Sequence, residues 1–158
     1  MKKWFVFLVL LLTGCAAKQV PYSPSDMVTK EVAASVIEQV VMEQPLKFRP
    51  EGLVVTSSYI GLSEGHDSKV VAVSNYNGAS DLLLSSANVS LSDINSRYYF
   101  NSISDFELYS KRDWFIIQLK NDEQRVVKHF YTRSLEKAQR FIDSINYMKI
   151  SAKPFGVE

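Results

Sequence analysis

Apolar and polar positions recur along this chain in two rhythms, and the change between them divides it. Between Asp26 and Gln44, Val28, Val32, Val36 and Val40 return every four residues, with Ala33, Ile37 and Val41 beside them. At about 100° per residue they cover one broad face, with Glu31, Ser35 and Glu38 opposite. The spacing predicts a helix over 26–44, capped by Ser25 or Asp26 and ended by Pro45. Its valines are poor intrinsic helix formers, so packing must hold it. From Leu53 the rhythm becomes that of strands. LVVTSSYIGLS and KVVAVSNY flank the turn EGHD, and Asn77–Gly78 marks another turn. Residues 82–95 fit one or two short strands, or a strand and a loop. RYYFNSI, FELYS, WFIIQLK and RVVKHFYT then read as antiparallel strands joined at Ser104–Asp105, KRD and NDEQ, a meander. A last helix is predicted from Ser134 to Met148. Ser134 is its N-cap, and Glu136 favours its positive start. Leu135, Ala138, Phe141, Ile142, Ile145 and Met148 fall on its apolar side, and Glu136, Lys137, Arg140 and Asp143 face water.

Ahead of both rhythms lies a segment of another kind. Lys2 and Lys3 precede nine apolar residues, Trp4 to Leu12, and then Leu12-Thr13-Gly14-Cys15. Nine residues are far fewer than the roughly 20 a helix needs to span a bilayer. They match the apolar region of a secretory signal. Leu12-Thr13-Gly14-Cys15 resembles the lipobox of bacterial lipoproteins. In that family the cysteine thiolate, the nucleophile toward the lipid donor, takes a diacylglyceryl group. The peptide is then cut before the cysteine and the new N-terminus is acylated. The resemblance implies a signal peptide over 1–14, lipidation at Cys15, a tether over 15–24 and a single domain over 25–153. Pro21 and Pro24 favour an extended tether. Ala16 after the cysteine, by the same resemblance, implies an outer-membrane anchor facing the periplasm.

Composition adds exclusions. The chain is 46% hydrophobic and 12% aromatic, enough for a real core. Its 18 basic and 17 acidic residues nearly cancel, and without Lys2 and Lys3 the balance is 16 against 17. Nothing in that balance calls for a nucleic-acid partner. One cysteine excludes an internal disulfide framework and a cysteine-based zinc site.

Five to seven antiparallel strands with a C-terminal amphipathic helix resemble a bacterial pleckstrin-homology-like domain, most clearly over residues 97–149. There RYYFNSISDFELY, WFIIQLK, VVKHFYT and LEKAQRFIDSINYM follow one another in the order of its strands and capping helix. The helix over 26–44 is additional. The expected fold is α+β: an antiparallel sheet or open barrel with an N-terminal and a C-terminal helix, the latter closing one end.

Candidate chemistry is sparse. His66 sits in a polar hairpin tip, and His129 lies in a strand. There is no G-x-S-x-G elbow, no S-x-x-K and no phosphate loop. Asp105 with Glu107, and Asp122 with Glu123, stand in or beside turns. No catalytic residue, metal set or cofactor is expected. Lys111 and Arg112, with Trp114 after them, are the candidates for contact with a partner or with lipid. Lys128, Arg133 and Arg140 are further cations of that region. The aromatics Tyr98, Tyr99, Phe100, Phe106, Tyr109, Trp114, Phe115, Phe130 and Tyr131 cluster, and strand alternation sends half of them outward. The expected function is non-catalytic: a lipid-anchored periplasmic interaction domain that binds a protein partner or supports an envelope assembly. The alternatives are a carrier or sensor of a small apolar or lipid ligand and, third, a hydrolase. An apolar pocket between sheet and helix favours the carrier, and a filled core with exposed aromatics favours the binding domain.

Overall fold

A computed structural model of the chain describes residues 16–25, 28–64, 82–85 and 93–152. Cys15, His66, the EGHD turn after Glu64, KVVAVSNY and Asn77–Gly78 lie outside them. The fold is α+β, with two helices and two four-stranded antiparallel sheets, and no closed barrel among the described residues. The elements are β1 (Lys18–Gln19), α1 (Lys30–Met42), β2 (Gly52–Thr56), β3 (Tyr59–Ser63), β4 (Leu82–Ser85), β5 (Ser96–Tyr99), β6 (Asp105–Lys111), β7 (Trp114–Lys120), β8 (Val126–Thr132) and α2 (Leu135–Ser151). One sheet runs β1-β6-β7-β8 and the other β4-β2-β3-β5. α1 and α2 lie against each other; α1 also touches β2, β4 and β8, and α2 touches β7 and β8.

The core sits where the helices meet the sheets. Ile37, Leu53, Ile60, Leu62, Ile117, Leu119, Phe130, Phe141 and Ile145 are almost completely buried. Each such side chain contributes about 1.5–3 kcal/mol on leaving water. In α2 the expected apolar side is buried except for Leu135, on the first turn. The Ser134 side chain caps that turn by accepting from Lys137 N–H at 3.2 Å. All five β2 residues are buried. An added Cβ at Gly61, beside β2, would stand 2.9 Å from Ile94 Cγ2, so glycine is what lets Ile94 close over β3.

Five expectations need correction. Helix α1 begins at Lys30 after Thr29, not at 26. Val32 is 43% exposed while Ala34 is buried. A repeat of four drifts around a helix whose period is 3.6 residues, and Val32 has drifted past the edge of the face centred on Ile37 and Val40. LVVTSSYIGLS is two strands rather than one: Thr56 Oγ1 accepts from Ser58 N–H and Tyr59 N–H at 3.1 and 3.0 Å and folds the chain back at Ser57–Ser58.

The remaining two are one event. Asp143, expected in water, is buried. Tyr22 Oη donates to both its carboxylate oxygens at 2.8 and 2.9 Å, and Ser25 N–H donates to Oδ1 at 2.7 Å. The segment read as a tether is extended, as its prolines require, but from Lys18 onward it is fastened to the domain. β1 pairs with β6, and Val20 N–H donates to Leu108 O at 2.8 Å.

Candidate interaction surface

The meander β6-β7-β8 has two faces, and its register assigns each residue to one. Leu108, Ile117 and Phe130 form a cross-strand row on the inner face, against the helices. Tyr109, Ile116 and Tyr131 form the adjacent row on the outer face. Glu107, Gln118 and His129 make the next outer row, and Lys111 lies opposite Trp114 at the β6–β7 turn. Glu107 accepts from Lys120 at 2.7 Å and from Tyr109 Oη at 2.9 Å, and the Lys120 contact holds its carboxyl below the usual range.

The loop after α1 completes this face. Pro45 O accepts from Phe48 N–H at 2.7 Å and from Arg49 N–H at 3.0 Å, which turns the chain after α1. The turn is held by Gln44, which is buried. Its Nε2 donates to Val40 O at 2.7 Å and Tyr131 O at 2.8 Å, and its Oε1 accepts from Tyr131 N–H at 2.9 Å. The side-chain amide thus takes the place of a neighbouring strand on the edge of β8. Phe48 is thereby laid on Tyr131, with ring centroids 5.1 Å apart and nearly parallel planes.

The result is an open groove of about 540 Å³ lined by Pro45, Phe48, Lys111, Arg112, Trp114, Ile116 and Tyr131. Its floor is aromatic and aliphatic. Its cations are Lys111 and Arg112; beside it, Lys47 lies over the Phe48 ring at 5.6 Å and Arg133 over the Trp114 ring at 4.7 Å. A second, more polar hollow of about 680 Å³ shares Phe48 and Tyr131 and extends to Glu64, Val127, Lys128 and His129. Lys128 forms an ion pair with Glu64 there. The His129 ring is held below its ordinary pKa by partial desolvation and then by Lys128. Phe48 and Leu46 are 46% and 84% exposed. Arg112, at the tip of the β6–β7 turn, has φ 54°, in the left-handed region.

The structure therefore brings Lys111, Arg112 and Trp114 together in one groove, and Arg133 stacks over Trp114 from an adjoining hollow. Lys128 borders the second hollow instead, and Arg140 is exposed on α2, away from both. Of the clustered aromatics, Phe100 and Phe130 are core, while Tyr109, Trp114 and Tyr131 face outward. Sequence reasoning missed Pro45, Phe48 and Gln44. The visible signal was EQPLKFRP, a proline-bounded loop with two large apolar residues and no strand or helix to bury them. Among the described residues, no three His, Cys, Asp or Glu side chains are placed to hold a metal ion, and no helix is long and apolar enough to cross a membrane. No protein-family model, no curated protein and no solved structure matches the chain.

Proposed function

We propose that the protein is a bacterial lipoprotein, anchored in the outer membrane through acyl chains on Cys15 and facing the periplasm. Its domain is a non-catalytic, pleckstrin-homology-like module that binds a protein of the cell envelope on the outer face of the β1-β6-β7-β8 sheet. The observation that carries this reading is the groove. It combines aromatic side chains that are already ordered by Gln44 and by ring stacking with a cationic rim, the composition of an interface centre. The binding surface lies outside the sheet, whereas the space between sheet and helices is occupied by Ile117, Phe130, Phe141 and Ile145. That favours a docking module over a carrier, whose ligand would need the inner space. The pleckstrin-homology-like reading is supported by the meander β6-β7-β8 running directly into α2.

A photo-crosslinking residue in place of Phe48, in lipidated protein within native membranes, tests the proposal. The expected result is a discrete protein adduct that Trp114→Ala abolishes. Recovery of lipid adducts alone would overturn the protein-docking reading and leave the groove as a membrane contact.

A further inference from the structure

We infer that the β6–β7 hairpin tip rests on the anionic phospholipid surface that holds the Cys15 anchor, so that the sheet stands on the bilayer by this end. The inference rests on the lipoprotein reading and adds an orientation to it. The strand register carries the argument. Lys18 lies opposite Ser110 and Gln19 opposite Tyr109, in antiparallel sense. Following the same register backwards brings Ala17 and Ala16 level with Lys111 and Arg112. From Lys18 to Cys15 is three residues, a reach of at most ~10 Å. Strand β6, with seven residues, is about 23 Å long. The acyl chains must therefore leave from the β6–β7 end of the sheet and cannot reach the opposite one.

The start of the chain is also fixed from behind. Tyr22 and Ser25 are bonded to Asp143 of α2, and Val20 to Leu108, so β1 cannot swing away on a slack linker. The groups at the anchor's end suit a headgroup layer. Lys18, Lys111, Arg112 and Arg133 are exposed cations; Asp113 is exposed among them, and Glu43, beside Trp114 and Arg133, is paired with Lys137. Trp114 lies under the Arg133 guanidinium. Basic side chains are drawn to anionic lipid, and tryptophan favours the interface between headgroup and hydrocarbon. The other end of the sheet carries exposed Asp105, Asp122 and Glu123 with the exposed cation Arg125, which is paired with Glu123, so its balance is acidic and an anionic surface does not attract it. The outer face then rises from the membrane, with Trp114 at its base, Ile116 and Tyr131 above, and Gln118 and His129 higher. A partner docked there is held at the membrane surface.

Maturation removes Trp4 and leaves Trp114 as the sole tryptophan. The full-length precursor, matured in bacterial cells and reconstituted in phosphatidylethanolamine–phosphatidylglycerol vesicles, is probed with phospholipids brominated near the headgroup. Trp114 is expected to be quenched. A tryptophan moved to the opposite turn, in Trp114→Phe with Gln124→Trp, is expected to stay bright. Lys111→Glu and Arg112→Glu should each shift the balance of docked and undocked domains by about fivefold or more. Equal quenching at the two positions, or none at Trp114, in protein whose Cys15 carries acyl chains by mass spectrometry would overturn the orientation and leave the anchor standing. An unmodified Cys15 would overturn both.

Discussion

The two turns at opposite ends of the outer sheet meet the same backbone demand with opposite surface chemistry. Each places a non-glycine residue in the left-handed region, Arg112 at φ 54° and Gln124 at φ 60°. Each costs roughly 1–2 kcal/mol relative to an ordinary conformation. The far turn, Asn121–Arg125, closes on itself: Asn121 N–H donates to Arg125 O at 3.0 Å, and Asn121 Oδ1 accepts from Arg125 N–H at 2.9 Å. Its ion pair, Arg125 with Glu123, is open to solvent and contributes little. The near turn is surrounded instead by Trp114, Arg133 and the Phe48 loop, and it forms one wall of the groove. Backbone strain alone does not distinguish the two. What distinguishes them is the material from other parts of the chain that is packed beside one and not the other.

The comparison can be broken by substitution, starting with the element that brings the Phe48 loop to the near end. Gln44→Leu should destabilise the fold by about 3 kcal/mol, because the partly buried Tyr131 N–H and C=O both lose their partners. Asn121→Ala in the far turn should cost about 1 kcal/mol in the same denaturant titration. Next in size is the lock on the N-terminal strand. Asp143→Ala should cost about 2 kcal/mol by removing the acceptor of Tyr22 and of Ser25 N–H. Burial, and then Asp143, push the Tyr22 hydroxyl up to about 12 from 10.0. The folded protein therefore keeps a proton that the unfolded chain loses. That contribution is complete below pH 10.0 and falls away as pH rises toward about 12. Tyr22→Phe should remove this alkaline slope, measured by unfolding at a series of pH values.

Trp114→Ala should leave the fold largely intact but weaken partner capture by about thirtyfold, the range of an interface hot spot. Arg125→Ala at the far end should leave capture unchanged. The smallest effects sharpen the comparison most. Arg112→Gly and Gln124→Gly both relieve a left-handed residue, and both should stay within about 1 kcal/mol of the parent in thermal unfolding. Only Arg112→Gly should reduce capture. Equal loss from both would remove the functional distinction between the ends.

Much of the architecture was legible. The meander and α2 were readable because each depends on neighbours a few residues away: alternation within a strand, the KRD and NDEQ turns, the Ser134 cap. The Thr56-Ser57-Ser58 turn was visible as a cluster of hydroxyl residues, but the apolar runs on both sides masked it. Lys111, Arg112 and Trp114 were legible as candidates because a basic turn beside an exposed aromatic needs no long-range contact to be noticed. Their companion Phe48 was not, since its stacking partner lies on β8 and meets it only after Gln44 docks.

Sequence alone determined the order and type of the later elements and the apolar faces of both helices to within a residue or two, and its resemblance to a lipobox nominates Cys15. These follow from local periodicity and from short motifs. Only the tertiary structure decided that Asp143 is interior and that the segment before α1 is a strand bound to β6. The same holds for the placing of Phe48 on Tyr131 to complete the groove. The Tyr22–Asp143 bond joins residues 121 positions apart, and the Gln44–Tyr131 bonds join residues 87 apart. Whether a polar side chain is buried depends on what is laid across it, and no pattern of neighbours in sequence encodes that.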